Sequence, residues 1–347
     1  MLEDPNSKIP GSVIFKQSLP KKSDENDKEA FARFARDWAG LEFLSGLETD
    51  QSLAPRCYGG NTHHRFVLFE DFGEKQISLV DSLKGNDQTA AQAALKRFMQ
   101  SLGKLHACSY DHTNDYLKIL TNINPEAESW QDKTKRILHE TSTNVNTALK
   151  ALGLQTTPDI QKELDTVIRF IYEPGDFTTY IHGDICPDNT FDHPESNELQ
   201  IIDFEQGRVG NALLDATYLR MNMPTCWCAG KIPNELIDSL ELLYRRELMK
   251  KIPAARDDDK YFNAYANACA FWMLENVGGY IKGEIPREAR SLARIQVFID
   301  VAEKYDKLPH LRAMAQHVVK ELKVLWQGAK PLDLFPAFKP SAVTNQI

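Results

Sequence analysis

The chain has 347 residues, of which 42% are hydrophobic and 26% are charged, with a formal net charge of -8 and a pI of about 5.7. This length is sufficient for one large domain or a two-lobed enzyme, and the composition is ordinary for a soluble globular protein. The acidic balance argues against nucleic acid as a main partner, because phosphate contacts need clustered Lys and Arg.

The first 73 residues are predicted to form a small β-rich part. A β-branched and aromatic run over residues 12–16 predicts a strand that ends at Lys16. The polar stretch 21–28 predicts a loop, and apolar residues at three- and four-residue steps predict an amphipathic helix over 28–45. A turn with Gly and His at 59–64 is predicted to separate two short strands, the second at 66–69.

After residue 73 the pattern becomes helical. Two short apolar strands are predicted, around residues 180–181 and at 199–202. The sequence therefore predicts an α+β fold with a small N-terminal part (1–73) and a larger, mainly helical part (74–347), and the proline-containing tail 328–347 is predicted to be a loop. Helical spacing covers residues 88–110, 132–152, 158–172, 233–251, 258–280, 286–304 and 308–327.

The amino-acid sequence contains no recognisable targeting signal. No segment reaches the run of about 20 apolar residues that a membrane helix needs, and no secretory signal is recognisable at the N-terminus. The cysteine spacing fits neither a disulfide framework nor a paired zinc motif, which predicts reduced thiols in a cytoplasmic protein. The six cysteines are Cys57, Cys108, Cys186, Cys226, Cys228 and Cys269.

The most informative stretch is 180–215. Asp184 and Asn189 follow the predicted strand near residue 181, and Asp203 follows the strand at 199–202. A loop that presents a carboxylate and an amide, beside a second carboxylate at a strand end, forms an oxygen-rich corner. Such a corner suits Mg²⁺, which prefers one or two carboxylates together with phosphate oxygens and water. The remaining carboxylate can accept a proton from an incoming hydroxyl.

These residues resemble the aminoglycoside phosphotransferase and choline kinase family, which has a bilobal protein-kinase-like fold. The resemblance rests on His182-x-Asp184-x-x-x-x-Asn189 followed by Ile202-Asp203-Phe204-Glu205. It implies that Asp184 orients and deprotonates an acceptor hydroxyl, and that Asn189 and Asp203 hold Mg²⁺ on ATP. It further implies that His182 supports the loop and that Asp215 bonds back to it.

The resemblance extends to the first part of the chain. The run 67–73 is similar to the family's hinge, which implies that Phe69 backs the adenine pocket and that the backbones of Glu70 and Phe72 bond the adenine edge. Lys16 is similar to the phosphate-binding lysine of kinases. Its helix partner is expected at Asp37, where the family usually has Glu, with Glu42 as the alternative.

The chain also departs from that family. Few residues precede Lys16, and they contain no Gly-rich hairpin. Either the chain starts late or its small lobe is reduced, which would leave the triphosphate less covered. An ATP-dependent small-molecule kinase is therefore the first hypothesis, and a non-catalytic nucleotide-binding module is the alternative. A protein kinase ranks lower, because the loop is His-Gly-Asp and no Ala-Pro-Glu follows Asp203.

The segment 223–228 (MPTCWC) is rich in sulfur and apolar side chains. Core packing is the preferred interpretation, and a wall of the acceptor site is the alternative. The acceptor is predicted to be a small molecule with a hydroxyl group, but neither its identity nor the oligomeric state can be predicted from the pattern.

Overall fold

The computed structural model of the chain describes residues 10–73, 76–127, 152–281 and 288–340, with scattered residues between 132 and 150. It confirms the predicted α+β architecture, in which a small sheet precedes a larger, mainly helical part. The predicted division between residues 73 and 74 borders a gap at 74–75, outside the described residues. The two-domain division therefore stays a prediction.

The first part of the chain forms a three-stranded antiparallel sheet. Strand β1 (Val13–Gln17) pairs with β3 (Phe66–Glu70), and β3 pairs on its other edge with β2 (Cys57–Asn61). The register places Lys16 opposite Val67, near the start of β3. Gly59 and Gly60 lie within β2, so the predicted turn over 59–64 is wrong at its start, because a bulge between Cys57 and Gly59 lets the glycines continue the strand.

Helix α1 (Asp24–Gly46) packs against this sheet. The predicted loop over 21–28 is wrong from Asp24 onward. The Ser23 hydroxyl accepts a hydrogen bond from the Asn26 N–H (3.4 Å), and acidic residues in the first turn favour the positive end of the helix dipole. This cap allows polar residues to begin the helix before its apolar periodicity starts.

In the described residues of the second part, four short strands are present where two were predicted. β4 (Thr178–Ile181) pairs with β7 (Arg208–Asn211), and β5 (Thr190–His193) pairs with β6 (Glu198–Ile201), both antiparallel. β5 and β7 contain too many polar residues to form an apolar run, which is why the pattern missed them.

The remaining helices surround these strands. Two of them, α2 (Leu79–Lys84) and α4 (Thr113–Ile123), were not predicted as separate elements. Of the predicted helix over 132–152 only scattered residues are described, and those up to Lys150 are helical. The helices are α2 (Leu79–Lys84), α3 (Gln88–Ser109), α4 (Thr113–Ile123), α5 (Pro158–Tyr172), α6 (Ala212–Ala216), α7 (Asn234–Leu248), α8 (Asp258–Ile281), α9 (Glu288–Lys304) and α10 (Pro309–Leu325).

Helix α3 forms the centre of this part. It packs on α7, β4 and β6, and its core side chains such as Phe98 and Leu102 are fully buried. A side chain at Gly103 would lie 2.7 Å from the Glu247 Cβ, so glycine permits the close approach of α7. Arg97 forms a buried ion pair with Asp192 (2.5 and 2.7 Å), which attaches β5 and the loop before it to α3.

Among the described residues, no helix combines the length and the apolar character needed to cross a membrane. The tail 328–347 was predicted to be a loop, but part of it is buried. Phe335 and Phe338 are buried, and Leu334 bridges to Lys231, so apolar side chains anchor the segment up to residue 338. Residues 341–347 lie outside the described part.

Candidate functional site

A cavity of 340 Å³ lies where the first sheet meets strands β5 and β6. It is within the size range of ligand pockets, about 300–1,000 Å³. The predicted nucleotide- and metal-binding residues all line it: Lys16, Asp37, Phe69, Glu70, Phe72, Asn189 and Asp203. His182 and Asp184 are on the loop that leads to Asn189 and do not line this cavity.

Lys16 joins two carboxylates inside the cavity. Its Nζ lies 2.7 Å from Asp37 Oδ2 and 2.7 Å from Asp203 Oδ1. Partial burial by itself lowers the pKa of Lys16, but the two carboxylates outweigh this effect, so its pKa is raised and the ammonium stays charged. Glu42, the alternative partner, lines a different cavity beside Cys108 and Lys251.

Close packing of α1 compensates for the short side chain of Asp37. Asp37 is 3% exposed, and its second oxygen accepts a hydrogen bond from the Phe204 N–H (2.8 Å). A Cβ at Gly40 would lie 2.3 Å from the Tyr180 hydroxyl and 2.7 Å from the Phe204 Cβ. Because Gly40 has no side chain, α1 approaches the backbone after Asp203 closely enough for an aspartate to reach both partners.

Asp203 adopts a left-handed conformation, with φ 68° and ψ 62°. Asp and Asn are enriched among the few residues that tolerate this region, and such conformations cluster at functional sites. The turn directs the carboxylate toward Lys16, while the preceding Ile202 N–H bonds the Asn189 carbonyl (3.0 Å). The two predicted metal ligands are therefore joined through the backbone.

His182 holds the loop 182–189, predicted to be the catalytic loop, from within the core. It is fully buried, its Nε2 donates to the Ile202 carbonyl (2.9 Å), and its Nδ1 accepts from the Asp184 N–H (3.2 Å). Both ring nitrogens are thus used by backbone groups, as expected for a positioning residue. The ring connects the segment that carries Asp184 to the strand end that carries Asp203.

Asp215 forms hydrogen bonds to the backbone of the same loop. Its two oxygens accept the N–H groups of His182 (2.7 Å) and Gly183 (3.1 Å), and His106 Nε2 lies 3.4 Å away. Burial by itself raises the pKa of Asp215, but the contact with His106 and the backbone hydrogen bonds outweigh it, so the pKa is lowered and the carboxylate stays ionised. His106 therefore supplies an electrostatic contact to this carboxylate.

Asp184 and Asn189 face each other across a tight turn. The Asn189 Nδ2 donates to the Asp184 carbonyl (3.0 Å), which leaves its Oδ1 as the amide's ligand atom. The half-buried Asp184 carboxylate receives the Thr225 hydroxyl on Oδ1 (2.5 Å), with the Cys186 thiol 3.4 Å from the same oxygen.

The hinge residues line the cavity beyond β3. The Glu70 N–H already donates a hydrogen bond to the Arg56 carbonyl (2.9 Å). A backbone hydrogen bond from Glu70 to a nucleobase would therefore use the Glu70 carbonyl oxygen. The Phe72 ring packs edge-on against Phe191 (5.9 Å) and His193 (5.3 Å) of β5. The hinge is therefore attached to the second part of the chain by aromatic contacts.

A family model described as the ecdysteroid kinase-like family matches residues 28–250, more than half of the chain. The chain belongs to the ecdysteroid kinase-like family. The kinase-like resemblance predicted from the motifs is thus confirmed, and membership supports small-molecule kinase activity in general. The matched range includes Asp37, the hinge, the catalytic loop and Asp203. It does not include Lys16, whose place in the site comes from the structure alone.

Three solved structures with similar folds were compared. A choline kinase from Streptococcus pneumoniae is 14% identical, with 84% of this chain and 86% of that chain covered and a TM-score of 0.42. A Plasmodium vivax ethanolamine kinase is 12% identical (76% and 72% covered, TM-score 0.43). The GDP complex of aminoglycoside 2'-phosphotransferase-IIIa is 15% identical (86% and 95% covered, TM-score 0.46). No curated protein sequence matches this chain significantly.

The sequence missed several residues of the cavity, most of them apolar. Phe191 and Ile202 could have been found, because Phe191 is two residues after Asn189 on a strand and Ile202 directly precedes Asp203. Ile14 shares a face of β1 with Lys16 by the same two-residue period. Leu41, Pro55 and Gln76 carry no such signal, since their approach depends on packing.

Proposed function

We propose that this protein is an ATP-dependent phosphotransferase that moves the γ-phosphate to a hydroxyl group of a small molecule. The observation that carries the proposal is the position of Lys16, which contacts Asp37 and Asp203 at 2.7 Å in the cavity that Asn189 and the hinge also line. A lysine, a helix acid and a strand-end aspartate in one cleft are the parts that phosphoryl transfer requires.

The cavity offers a place for the nucleobase and for the phosphates. Phe69, Phe191 and Ile202 supply apolar surface next to the hinge, where the Glu70 carbonyl and the Phe72 N–H are proposed to bond the adenine edge. Lys16, beside Asp37 and Asp203, is proposed to contact the phosphates.

The donor set beside the phosphates fits Mg²⁺. Asn189 Oδ1 and the Asp203 carboxylate are hard oxygen ligands, and Mg²⁺ is usually bound by one or two carboxylates plus phosphate oxygens. When bound, the metal neutralises charge on the triphosphate. Asp203 now pairs with Lys16, so nucleotide binding is expected to shift Lys16 from Asp203 toward phosphate.

Asp184 is proposed as the proton acceptor. Its Oδ1 is held by Thr225 at 2.5 Å, which leaves Oδ2 for the acceptor hydroxyl. The hydroxyl oxygen forms a bond to the γ-phosphorus while the bond to the bridging oxygen of ADP breaks, and the hydroxyl proton passes to Asp184. His182 and Asp215 position this carboxylate through the backbone and do not meet the substrate.

The names of the relatives suggest acceptors to screen. Ecdysteroids come first, because the matched family is named for them, followed by choline, ethanolamine and aminoglycosides. All carry hydroxyl groups on otherwise different scaffolds. A cytoplasmic setting, predicted from cysteine usage, stays part of the proposal.

The experiment compares wild type, Asp203→Asn and Asp184→Asn in thermal unfolding with and without Mg-ATP. A ligand at about 100 times its Kd adds about 2.7 kcal/mol, which is a shift of about 4 °C for a chain of this length. We expect the shift in wild type and in Asp184→Asn but not in Asp203→Asn, because Asp203 is a proposed metal ligand. Asn tolerates the same left-handed backbone conformation, so Asp203→Asn should keep the fold.

Turnover then separates binding from chemistry. With an acceptor found in the screen, Asp184→Asn is expected to lower kcat by about 100-fold or more, the range for a general base. Normal turnover by Asp184→Asn would show that the assigned role is wrong.

The alternative is a non-catalytic nucleotide-binding module. It is favoured by one observation: among the described residues no strand pairs with the outer edge of β1, whose residues Val13, Ile14 and Phe15 are exposed. A magnesium-dependent thermal shift without phosphate transfer to any acceptor, or to water, would support this alternative.

A further inference from the structure

Three of the six cysteines meet one aspartate beside the catalytic loop. Cys226 Sγ lies 2.9 Å from Cys228 Sγ. Cys186 Sγ, Cys226 Sγ and a carboxylate oxygen of Asp188 all lie within 4.8 Å of one another. The three thiols are buried, at 6%, 0% and 6% exposure. The sequence did not predict this cluster, because Cys186 comes from a segment distant from the Cys-x-Cys pair.

Asp188 provides an independent sign that something is bound here. Its Oδ2 accepts the Trp227 indole N–H (2.6 Å), but its Oδ1 is buried and has no hydrogen-bond donor among the described residues. A buried carboxylate oxygen without a partner is costly, so such atoms normally have a donor, an ordered water or a cation. A cation at the thiols would satisfy this oxygen.

We propose that Cys186, Cys226 and Asp188 form a binding site for a soft divalent cation, Zn²⁺ being the best fit, and that Cys228, whose Sγ lies 2.9 Å from Cys226 Sγ, moves in as the fourth ligand. Thiolate ligands select zinc over magnesium, and zinc accepts a mixture of cysteine and carboxylate ligands in a tetrahedron. Zn–S bonds of about 2.3 Å imply ligand sulfurs about 3.8 Å apart. The sulfurs of Cys186 and Cys226 and a carboxylate oxygen of Asp188 lie within 4.8 Å of one another, which is compatible with such bonds. Cys228 Sγ, 2.9 Å from Cys226 Sγ, would have to move away from that sulfur to complete the tetrahedron.

Cationic side chains surround the cluster and offset the charge of its thiolates. The Lys84 ammonium lies 3.7 Å from the centroid of the Trp227 ring. Arg290 donates to the carbonyls of Cys226 (3.0 Å) and Trp227 (2.6 Å), which holds the Cys-x-Cys segment in place. Contacts of this kind orient metal ligands and keep them in position.

The site would control the proposed reaction. Cys186 Sγ and the Thr225 hydroxyl both contact Asp184 Oδ1, at 3.4 Å and 2.5 Å, and Thr225 directly precedes Cys226. A metal bound by Cys186 and Cys226 therefore removes one of these contacts and shifts the other, so we expect bound Zn²⁺ to inhibit phosphate transfer. This consequence rests on the proposed function, whereas the metal site itself does not.

The test uses Co²⁺ as a spectroscopic probe for Zn²⁺ on the full chain, after reduction and removal of metals. Binding by thiolates in a tetrahedron produces a thiolate-to-cobalt charge-transfer band and strong ligand-field absorption. We expect both at one equivalent of Co²⁺, and we expect Zn²⁺ to displace the colour. Reduced wild type without the charge-transfer band would overturn the proposal, and so would a Cys226–Cys228 disulfide that persists after reduction.

Variants locate the site. Cys226→Ser with Cys228→Ser should weaken Zn²⁺ binding by more than about 100-fold, the upper range for loss of an outer partner of a metal ligand. Asp188→Asn, a milder change that keeps the thiols, should also weaken binding. Cys108→Ser, at a half-buried thiol outside the cluster, is the matched control. Equal affinity in wild type and in folded Cys226→Ser with Cys228→Ser would place the metal elsewhere.

The inhibition is measured separately. Phosphate transfer by wild type should fall as Zn²⁺ fills the site, and the cysteine double variant should resist. If no acceptor is phosphorylated under any condition, the proposed function fails while the cobalt spectrum still decides the metal site.

Discussion

Gly183, in the centre of the His-Gly-Asp motif, has a φ of +78°. A Cβ at this position would lie 2.3 Å from the Arg208 Nη1 and 2.7 Å from the Gln206 carbonyl oxygen. Glycine is therefore needed twice, for its left-handed backbone and for the close approach of the strand after Asp203. The motif is a geometric requirement of the loop as well as a carrier of Asp184.

Gly183→Ala is expected to destabilise the fold by about 2 kcal/mol or more, because left-handed backbone costs an alanine about 1–2 kcal/mol and the clash adds to it. Urea unfolding measures the loss. Gly153→Ala is the control, since Gly153 also has a positive φ (+71°) but no atom within 4 Å of an added Cβ. Equal losses in the two variants would contradict the role assigned to packing at Gly183.

At the scale of elements, the site depends on how α1 meets the segment after Asp203. Arg36 Nε donates to the Glu205 carbonyl (2.6 Å), and Asp37 accepts the Phe204 N–H (2.8 Å). Gly40 lies over Tyr180 and Phe204, where any side chain would collide. Helix propensity by itself favours alanine over glycine by about 0.5–1 kcal/mol, so tertiary packing has overridden it here.

Gly40→Ala is expected to destabilise the protein by about 1–3 kcal/mol, as overpacking does, and to weaken ATP binding by moving Asp37 away from Lys16. Calorimetry and urea unfolding measure the two effects. Gly46→Ala, on the same helix but facing open space, is the control and should leave both values nearly unchanged. Unaltered nucleotide affinity in Gly40→Ala would mean that α1 does not set the position of Asp37.

At the scale of the whole molecule, distant segments close one cavity. Lys16 and Asp203, which share a hydrogen bond, are 187 residues apart in the chain. The backbone of Ile201 in β6 also donates to the carbonyl of Leu53, in the segment between α1 and β2 (2.9 Å), so the first part of the chain is joined to the second at a further point. Nucleotide binding should therefore stabilise both parts of the chain.

Mg-ATP is expected to slow amide hydrogen exchange in β1, in the hinge 67–73 and in the loop 182–189 together, because all three line or support the same cavity. Mass spectrometry of peptides from these segments measures the change. The β7–α6 segment 208–216, which supports the loop from behind, should change less. Protection confined to one part of the chain would contradict a shared site.

Prediction from sequence succeeded where a local signal existed. Helices such as α3 and α10 have clear apolar periodicity, and the spacing of Asp184, Asn189 and Asp203 is carried by 20 consecutive residues. It failed at β5 and β7, whose polar residues are buried by neighbours rather than by an apolar pattern. It also failed at the start of α1, where capping and the helix dipole stabilise residues without periodicity.

The sequence by itself determined the fold class, the catalytic-loop motif and the chemistry that these side chains offer, because residue type and short-range spacing depend only on local order. Only the tertiary structure decided that Asp37 rather than Glu42 meets Lys16, that His106 contacts Asp215 beneath the loop, and that Cys186 lies beside Cys226. These contacts join residues that are far apart in the chain. Their formation depends on how closely helices and strands pack, for which a single sequence carries no local signal.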